Sequence, residues 1–253
     1  MSNKIQEKMD KNEYVIGPFV KINSSEIVEI LGLAGFDYII IDCEHGPLDM
    51  LSAQDMIRAA KLVGMSPVIR ISDNDPAMIS RALDIGADAV QIPQICTKED
   101  AEKAIIAGKF APLGERGVCR YVRAAEYSNV EKSKYFKKAN NETMIIVQIE
   151  GKEGINNIDE ILSVKGIDII FIGPYDLSQS LGIIGDVNNP KIGEMVEIIT
   201  MKAKACGKRI GIFVENKEQA LKLIELGVQY ISYSTDAGII LSSFKEVIQQ
   251  FRK

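Results

Sequence analysis

Short apolar runs rich in β-branched residues alternate with amphipathic helical patterns along almost the whole 253-residue chain. Most runs are continuously apolar, which is typical of parallel strands covered on both faces. Eight strands alternating with helices over about 250 residues predict an α/β fold, a (β/α)8 or TIM barrel. The predicted strands are residues 14–21, 38–42, 66–71, 89–95, 144–150, 168–174, 209–215 and 230–236.

The helical patterns repeat one ending, in which a helix stops at a glycine and the next strand follows, as in LGLAGFDYI, LDIGADAV and IELGVQYI. Such repetition indicates a reiterated β/α unit. A doubly wound open sheet is the competing fold, because periodicity does not reveal closure, but the strand count and chain length favour the barrel. Without a linker-like stretch or a break in composition, residues 1–253 are predicted to form a single domain.

Residues 111–143 are too long for a plain connection between a helix and a strand. They predict an elaborated loop after the helix that follows the fourth strand, with a short helix of its own. We expect this loop on the face of the barrel that carries the chemistry.

Composition and charge exclude several classes of function. The formal net charge is -5 and the basic residues are scattered, so no nucleic-acid partner is predicted. No run approaches the roughly 20 apolar residues that a membrane span needs, and the N-terminus lacks the apolar core of a signal peptide. Four isolated cysteines and a single histidine make a poor zinc set. A reduced, cytoplasmic setting is therefore expected.

Polar residues gather where the predicted strands end, which is where barrel enzymes keep their active sites. Crowded carboxylates resist burial unless a cation compensates them, and a hard divalent ion suits such oxygen ligands. Glu150 and Asp176 follow neighbouring strands and form the natural pair of ligands, although Asp176 and Glu215 could instead cap helices. The strand-end set comprises Asp42, Glu44, His45, Arg70, Gln91, Gln94, Gln148, Glu150, Pro174, Tyr175, Asp176, Glu215 and Asp236.

His45, the only histidine, has a structural and a catalytic interpretation. It could be an ordinary packed or surface histidine, or Asp42 could orient it for proton transfer near neutral pH. Arg70 could be a structural ion pair or could stabilise an oxyanion. After Gly173-Pro174, the N–H groups of the following helix start could hold a carboxylate.

Together these motifs resemble the HpcH/HpaI aldolase family of metal-dependent class II pyruvate aldolases, which fold as (β/α)8 barrels. The resemblance runs in family order from about residue 14 to residue 245. It rests on IIIDCEHGPLD, SPVIRI, LDIGADAVQIPQI, FAPLGERGVCRYVRAAEY, VQIEGKEGINNIDEIL, DIIFIGPYDLSQSLG and YISYSTD.

The resemblance implies a role for each matching residue. Glu150 and Asp176 would bind Mg²⁺ or Mn²⁺, and the carboxylate and 2-oxo group of pyruvate would chelate this ion. Gln148 would help to hold the substrate oxygen, and Arg70 would stabilise the enolate. His45, backed by Asp42, would transfer protons.

The resemblance also implies a substrate pocket and an assembly. The amides of Tyr175 and Asp176, after Gly173-Pro174, would bind the substrate carboxylate. Val118 would help to form the aldehyde pocket, either within the chain or across a subunit boundary, and the chain would form a homo-oligomer, commonly a hexamer. The implied reaction is the reversible cleavage of a 4-hydroxy-2-oxo acid to pyruvate and an aldehyde through a metal-bound pyruvate enolate.

Some positions depart from the family pattern. Tyr175 replaces a small residue and would crowd the site, and Pro93-Gln94 and the YSTD segment also differ. Citrate-forming relatives attack oxaloacetate with a nucleophile derived from acetyl-CoA, so a citrate-synthase-like acyl transferase stays open. A non-catalytic barrel that binds a 2-oxo acid is the third alternative. A Schiff-base aldolase is disfavoured, because Lys21 is the only lysine at a predicted strand end.

Overall fold

The eight predicted strands close into one parallel barrel, joined in chain order, in a computed structural model that describes residues 3–252. The predicted TIM-barrel fold is confirmed. Of the predicted domain 1–253, residues 1, 2 and 253 lie outside the described residues. The strands are β1 (Val15–Val20), β2 (Tyr38–Asp42), β3 (Ser66–Arg70), β4 (Ala89–Ile92), β5 (Met144–Ile149), β6 (Ile169–Ile172), β7 (Arg209–Val214) and β8 (Tyr230–Thr235).

Helices follow the strands and cover the outside of the barrel, where a large apolar cluster forms between the two layers. Capping residues set where they begin: Asp49 and Thr97 each form a reciprocal capping box with the residue three positions on. The helices are α1 (Lys4–Asp10), α2 (Ser25–Leu33), α3 (Met50–Leu62), α4 (Pro76–Asp84), α5 (Lys98–Gly108), α6 (Lys132–Glu142), α7 (Lys152–Asn156), α8 (Ile158–Leu162), α9 (Pro174–Ser180), α10 (Pro190–Ala205), α11 (Lys217–Leu226) and α12 (Asp236–Phe251), with a 3₁₀ helix at Arg123–Ser128.

The interior of the barrel is filled at its amino end. Ile5 and Met9 of α1 are buried in the same cluster as the rings of Tyr38 and Tyr230, whose centroids stack 4.2 Å apart. The Tyr38 hydroxyl donates a 2.7 Å hydrogen bond to the backbone carbonyl of Ile231, which satisfies its polar end inside the barrel. A small molecule therefore has its entry at the opposite, carboxyl end of the strands.

The predicted loop at 111–143 is present and carries the 3₁₀ helix and α6, but its predicted location is wrong. Arg116 pairs with Asp84 (2.6 Å) at the end of α4, and Lys109 donates a 3.0 Å hydrogen bond to the carbonyl of Asn140 just before β5. These contacts place the segment at the amino ends of the strands, away from the chemistry. The reason is geometric: α5 runs back along the barrel, so the chain that follows it starts at the amino end.

The last helix, α12, leaves much of its apolar surface exposed. Its first turn is tied to the barrel, since Asp236 accepts hydrogen bonds from the backbone N–H groups of Lys21 (3.0 Å) and Ile22 (2.9 Å). Beyond that turn, large side chains lie in solvent within this chain: Leu241, Phe244, Val247, Ile248 and Phe251. Among residues 3–252, no helix has both the length and the apolar character required to cross a bilayer.

Candidate active site

A cavity of about 320 Å³ opens at the carboxyl ends of the strands. This volume lies at the small end of the range for ligand pockets, which suits a small substrate. Four aromatic rings form one side, and polar groups from β1, β2, β3 and β5 form the other. The lining residues are Phe19, Lys21, His45, Arg70, Gln148, Phe171, Gly173, Pro174, Tyr175, Asp176, Phe213 and Thr235.

Arg70, at the end of β3, is held by two carboxylates and an aromatic ring. It donates to Asp42 from Nε (3.0 Å) and Nη2 (2.7 Å), while Nη1 lies 2.9 Å from Glu44 Oε2. Its guanidinium also lies 4.5 Å from the centre of the Phe19 ring. Arg70 therefore forms the predicted ion pair and also lines the cavity, while its role in stabilising an oxyanion stays a prediction.

Asp42 is fully buried, and its partners differ from those expected. Burial alone would raise its pKa, but hydrogen bonds from Arg70, and then from Lys21, outweigh burial and lower the pKa of Asp42 to about 2. It also accepts the backbone N–H of His45 (3.2 Å), so it fixes the turn after β2. In this structure both carboxylate oxygens accept from Arg70, and Asp42 contacts His45 through the backbone N–H, so the orientation of the imidazole by Asp42 stays a prediction.

The His45 imidazole lies at the cavity with its side chain 60% exposed. Its Nε2 lies 3.8 Å from Glu44 Oε2, so Glu44 is the acidic partner of the ring. Burial raises the pKa of Glu44, Arg70 opposes this, and Asp42 and Asp176 add to it. The His45 imidazole thus lies beside the Glu44 carboxyl, whose pKa is higher than usual.

Glu150, just after β5, lies where ionisation of its carboxyl is unfavourable. It is 7% exposed and accepts hydrogen bonds from the Gln148 side-chain amide and from the Gln94 backbone N–H (2.7 Å). Burial raises the pKa of Glu150 to about 7, and the charges of Asp176 and Glu44 add to the increase. Glu150 therefore ionises at neutral pH only at a cost, which a nearby cation would remove.

Gly173 makes room for that carboxylate. A Cβ at this position would lie 2.8 Å from Glu150 Oε2 and 3.0 Å from Glu150 Cβ, so the Glu150 side chain would have to shift. The strand β6 ends here, and Pro174 starts α9. The glycine thus lets the ends of β5 and β6 come together, with Glu150 on one and Asp176 on the other.

The start of α9 offers unpaired backbone donors to the cavity. Its N-cap, Gly173, supplies no side-chain hydrogen bond, and the first helical bond runs from the Leu177 N–H to the Gly173 carbonyl (3.0 Å). The N–H groups of Tyr175 and Asp176 precede that bond. The capping interpretation of the two acids is wrong, since Gly173 is the N-cap of α9 and Asn216 caps α11.

The residues present fit a hard divalent cation that takes part of its shell from substrate or water. Within residues 3–252, no group of three or more His, Cys, Asp or Glu side chains is arranged to hold a metal alone. Two carboxylates with open positions are nevertheless the usual protein share of a Mg²⁺ site. Glu150 and Asp176 would supply these oxygens, and Asp176 is near enough to raise the pKa of Glu150.

Val118 is not brought to this cavity within one chain. It is 71% exposed and belongs to the segment at the amino end of the barrel. Val118 is not among the residues that line the chain's own cavity, and its part in an aldehyde pocket stays a prediction. The alternative across a subunit boundary is untouched by this finding.

Two polar residues make contacts at the site that the sequence did not indicate, and a third lies outside the cavity at which it was expected. Lys21 donates to Asp42 and to the His45 carbonyl (3.2 Å), and its position just after β1 was the available signal. Gln91 donates to Gln148, which starts an amide chain leading to Glu150. Asp236, expected at the mouth, instead accepts backbone N–H groups and is buried outside the lining.

Comparisons with known proteins agree with this geometry. The chain is 34% identical over 251 residues to the 5-keto-4-deoxy-D-glucarate aldolase of Shigella boydii serotype 18, covering 99% of this chain and 97% of that protein. The crystal structure of an HpcH/HpaI aldolase from Desulfitobacterium hafniense DCB-2 matches with a TM-score of 0.94 and 30% identity, covering 100% of this chain and 98% of that one. The citrate synthase SbnG matches with a TM-score of 0.90 and 26% identity, covering 98% and 97%.

The family profile of HpcH/HpaI aldolase/citrate lyase matches residues 16–242, which include all eight strands except the first residue of β1. This chain belongs to the HpcH/HpaI aldolase/citrate lyase family.

Proposed function

We propose that the chain is a class II aldolase that uses one divalent cation, Mg²⁺ or Mn²⁺. It reversibly cleaves a 4-hydroxy-2-oxo acid to pyruvate and an aldehyde. The relatives named aldolases support this class of reaction, and the small cavity supports a substrate of this size.

The buried Glu150 carboxylate is the observation that carries the proposal. Its hydrogen-bond donors are an amide and a backbone N–H, and its charged neighbours Asp176 and Glu44 are of like sign. Folding such a group at a cavity is costly unless something positive binds there. A divalent cation held by Glu150 and Asp176 would supply the charge that stabilises an enolate as the carbon–carbon bond breaks.

The surrounding residues divide the remaining tasks. The N–H groups of Tyr175 and Asp176 are suited to bind the substrate carboxylate, and Gln148 to orient the 2-oxo oxygen. Arg70 adds positive charge beside the developing oxyanion. His45 takes the proton from the 4-hydroxyl as the bond between C3 and C4 breaks, and a proton delivered to C3 then completes pyruvate.

Lys21 supports this reaction type over a Schiff-base route. Its ammonium donates to Asp42 and to the His45 carbonyl, so it lacks the free lone pair that attacks a carbonyl. Borohydride should therefore fail to trap pyruvate on the protein. A covalent adduct at Lys21 would overturn the cation-dependent route.

The test is pyruvate release from a panel of 4-hydroxy-2-oxo acids, with Mg²⁺ or Mn²⁺ and with a chelator. Release should depend on the added cation and should be lost in Glu150→Gln and Asp176→Asn. Glu160→Gln, which removes an exposed carboxylate on α8, is the matched control and should keep wild-type turnover. Release that is unaffected by chelator would contradict the proposal.

A citrate-synthase-like acyl transferase is the second candidate, favoured by the 26% identity to the citrate synthase SbnG over nearly the whole chain. It predicts free thiol from acetyl-CoA in the presence of oxaloacetate. Thiol release without any aldol cleavage would replace the aldolase proposal. Folded protein that shows neither activity would leave a barrel that binds 2-oxo acids without catalysis.

We also propose a homo-oligomer, with the hexamer that the family resemblance implies. The exposed apolar side of α12 supports an interface, and the distance of Val118 from its own cavity supports a contribution to a neighbouring one. Light scattering should give about six times the chain mass of 27.9 kDa. A monomer with full activity would contradict both parts of this proposal.

A further inference from the structure

A phenol and a carboxylate meet at the cavity mouth, and the proposed reaction leaves this contact unexplained. The Tyr175 hydroxyl, on the first turn of α9, donates a 2.8 Å hydrogen bond to Glu215 Oε2, just after β7. Tyr175 lines the cavity yet is 43% exposed, so one edge of its ring faces incoming molecules. The pair thus bridges the ends of β6 and β7 across the entrance.

The Tyr175 ring is held by packing as well as by Glu215. Its centroid lies 6.0 Å from that of Phe213, which is 5.9 Å from Phe19, and Phe19 lies 6.1 Å from Phe171. These rings form a continuous apolar surface from the interior of the barrel to the mouth. A side chain fixed at both ends acts as a wall of defined shape and polarity.

The charges at this entrance are unfavourable for a further anion. Among the described lining residues, the lysine and arginine are Lys21 and Arg70, and both are already paired with Asp42, Arg70 also with Glu44. Glu215 adds a carboxylate on the other side of the mouth. Among the described residues that line the cavity, neither basic side chain is free to meet a carboxylate brought to the Tyr175 side, where Glu215 presents like charge.

We propose that Tyr175 and Glu215 select the aldehyde acceptor, favouring neutral hydroxyaldehydes over aldehydes that carry a carboxylate. This inference rests on the proposed aldolase function. The phenol oxygen can accept a hydrogen bond from a hydroxyl of the aldehyde while its own O–H donates to Glu215. Glu215 Oε1 can accept a second hydrogen bond from the aldehyde. A carboxylate has no proton to donate to either group.

The selection comes from the fixed positions of both groups. The Tyr175 hydroxyl is held by its hydrogen bond to Glu215, and the Tyr175 ring is held by packing against Phe213.

The test compares two acceptors that differ in one group. D-glyceraldehyde and 2-hydroxy-3-oxopropanoate have the same skeleton, with CH2OH in the first where the second has a carboxylate. Each is condensed with pyruvate, and the ratio of the two kcat/KM values is measured. Because both reactions share the pyruvate steps, the ratio isolates acceptor selection.

The wild-type ratio should favour D-glyceraldehyde. Glu215→Gln, which removes the charge and keeps the shape, should shift the ratio about tenfold toward the carboxylate acceptor. Tyr175→Phe, which removes only the hydroxyl, should lower kcat/KM for D-glyceraldehyde about fivefold, the loss of one neutral hydrogen bond. Glu218→Gln, an exposed carboxylate on α11, is the control and should keep the wild-type ratio.

The outcomes separate the two levels of inference. Condensation with a wild-type preference for the carboxylate acceptor, or with the same ratio in Glu215→Gln and Tyr175→Phe as in wild type, would overturn the selecting role alone. Wild-type protein that condenses neither aldehyde would overturn the aldolase function, and the selecting role with it.

Discussion

Replacing Glu150 with glutamine is expected to stabilise the metal-free protein while it abolishes cation binding. The pKa of Glu150 rises from 4.5 to about 7 on folding, so at about 1.36 kcal/mol per pKa unit the ionised carboxylate costs about 3 kcal/mol of stability. Glutamine keeps the shape and removes the charge. The amide chain through Gln91 and Gln148 must reverse its donors and acceptors to suit it, so about 3 kcal/mol is an upper bound.

The pH dependence gives this prediction its sign. Below pH 4.5 the carboxyl is protonated in both the folded and the unfolded chain, and wild type and variant should be equally affected by acid. Between pH 4.5 and about 7 the unfolded chain has lost the proton that the folded chain retains, so wild-type stability falls as the pH rises. Above that range the full difference remains, and the variant should unfold roughly 4–12 °C higher at pH 8.

The assay is thermal unfolding in chelator at pH 5 and at pH 8, with Glu160→Gln as the surface control. Mn²⁺ at 1,000 times its Kd should reverse the order, since it stabilises the wild type by about 4.1 kcal/mol, more than the variant's advantage of about 3 kcal/mol, and the variant should gain nothing. A gap between wild type and variant that is the same at both pH values would refute the argument from burial. Equal stabilisation of both proteins by Mn²⁺ would refute the assignment of Glu150 as a ligand.

Three further substitutions test neighbouring parts of the site. Asp42→Asn should lower the free energy of unfolding at pH 7 by about 2–4 kcal/mol, and the gap should close as the pH falls from 4 to 2, through the folded-state pKa of about 2; urea unfolding measures both. Gly173→Ala should weaken Mn²⁺ binding at least about tenfold by displacing Glu150, whereas Gly151→Ala, with open space around its Cβ, should bind as wild type in calorimetric titrations. His45→Ala should slow turnover roughly 10²–10⁴-fold and flatten the pH–rate profile while Mn²⁺ affinity is kept.

The barrel could be predicted because its signals are local. Each strand is a short apolar run between a helix and a polar turn, so the start and stop signals of each β/α unit lie within that unit. Closure of the sheet into a barrel depends on contacts between distant strands, and it was inferred from the count of eight strands. The result is that each predicted strand overlaps its observed counterpart, with ends such as Gln94 and Ile95 beyond β4 as the main excess.

The grouping of polar residues at one mouth was also predictable, because parallel strands end on the same side. Arg70, Gln148, Gly173, Tyr175 and Asp176 all line the cavity as expected. What each side chain touches was not predictable. From the sequence, Asp42 could have paired with Lys21, His45 or Arg70. Because β2 lies between β1 and β3, its carboxylate accepts hydrogen bonds from Lys21 and Arg70.

The wrong location of residues 111–143 has a clear cause. A long connection attracts a functional interpretation, but the end of the barrel on which it lies depends on whether it follows a strand or a helix. This one follows α5, and contacts such as Arg116 with Asp84 hold it at the amino end. The same reasoning applied to the sequence would have separated Val118 from the chain's own cavity.

Exchange of the pyruvate methyl protons with deuterium from the solvent tests the central claim most directly, because it requires enolate formation and no aldehyde. Proton NMR should show exchange only when Mg²⁺ or Mn²⁺ is present, and none in Glu150→Gln or Asp176→Asn at any cation concentration at which Glu160→Gln is fully active. Exchange at the wild-type rate in chelator, or in either of those two variants, would contradict an enolate stabilised by a cation that Glu150 and Asp176 hold between them.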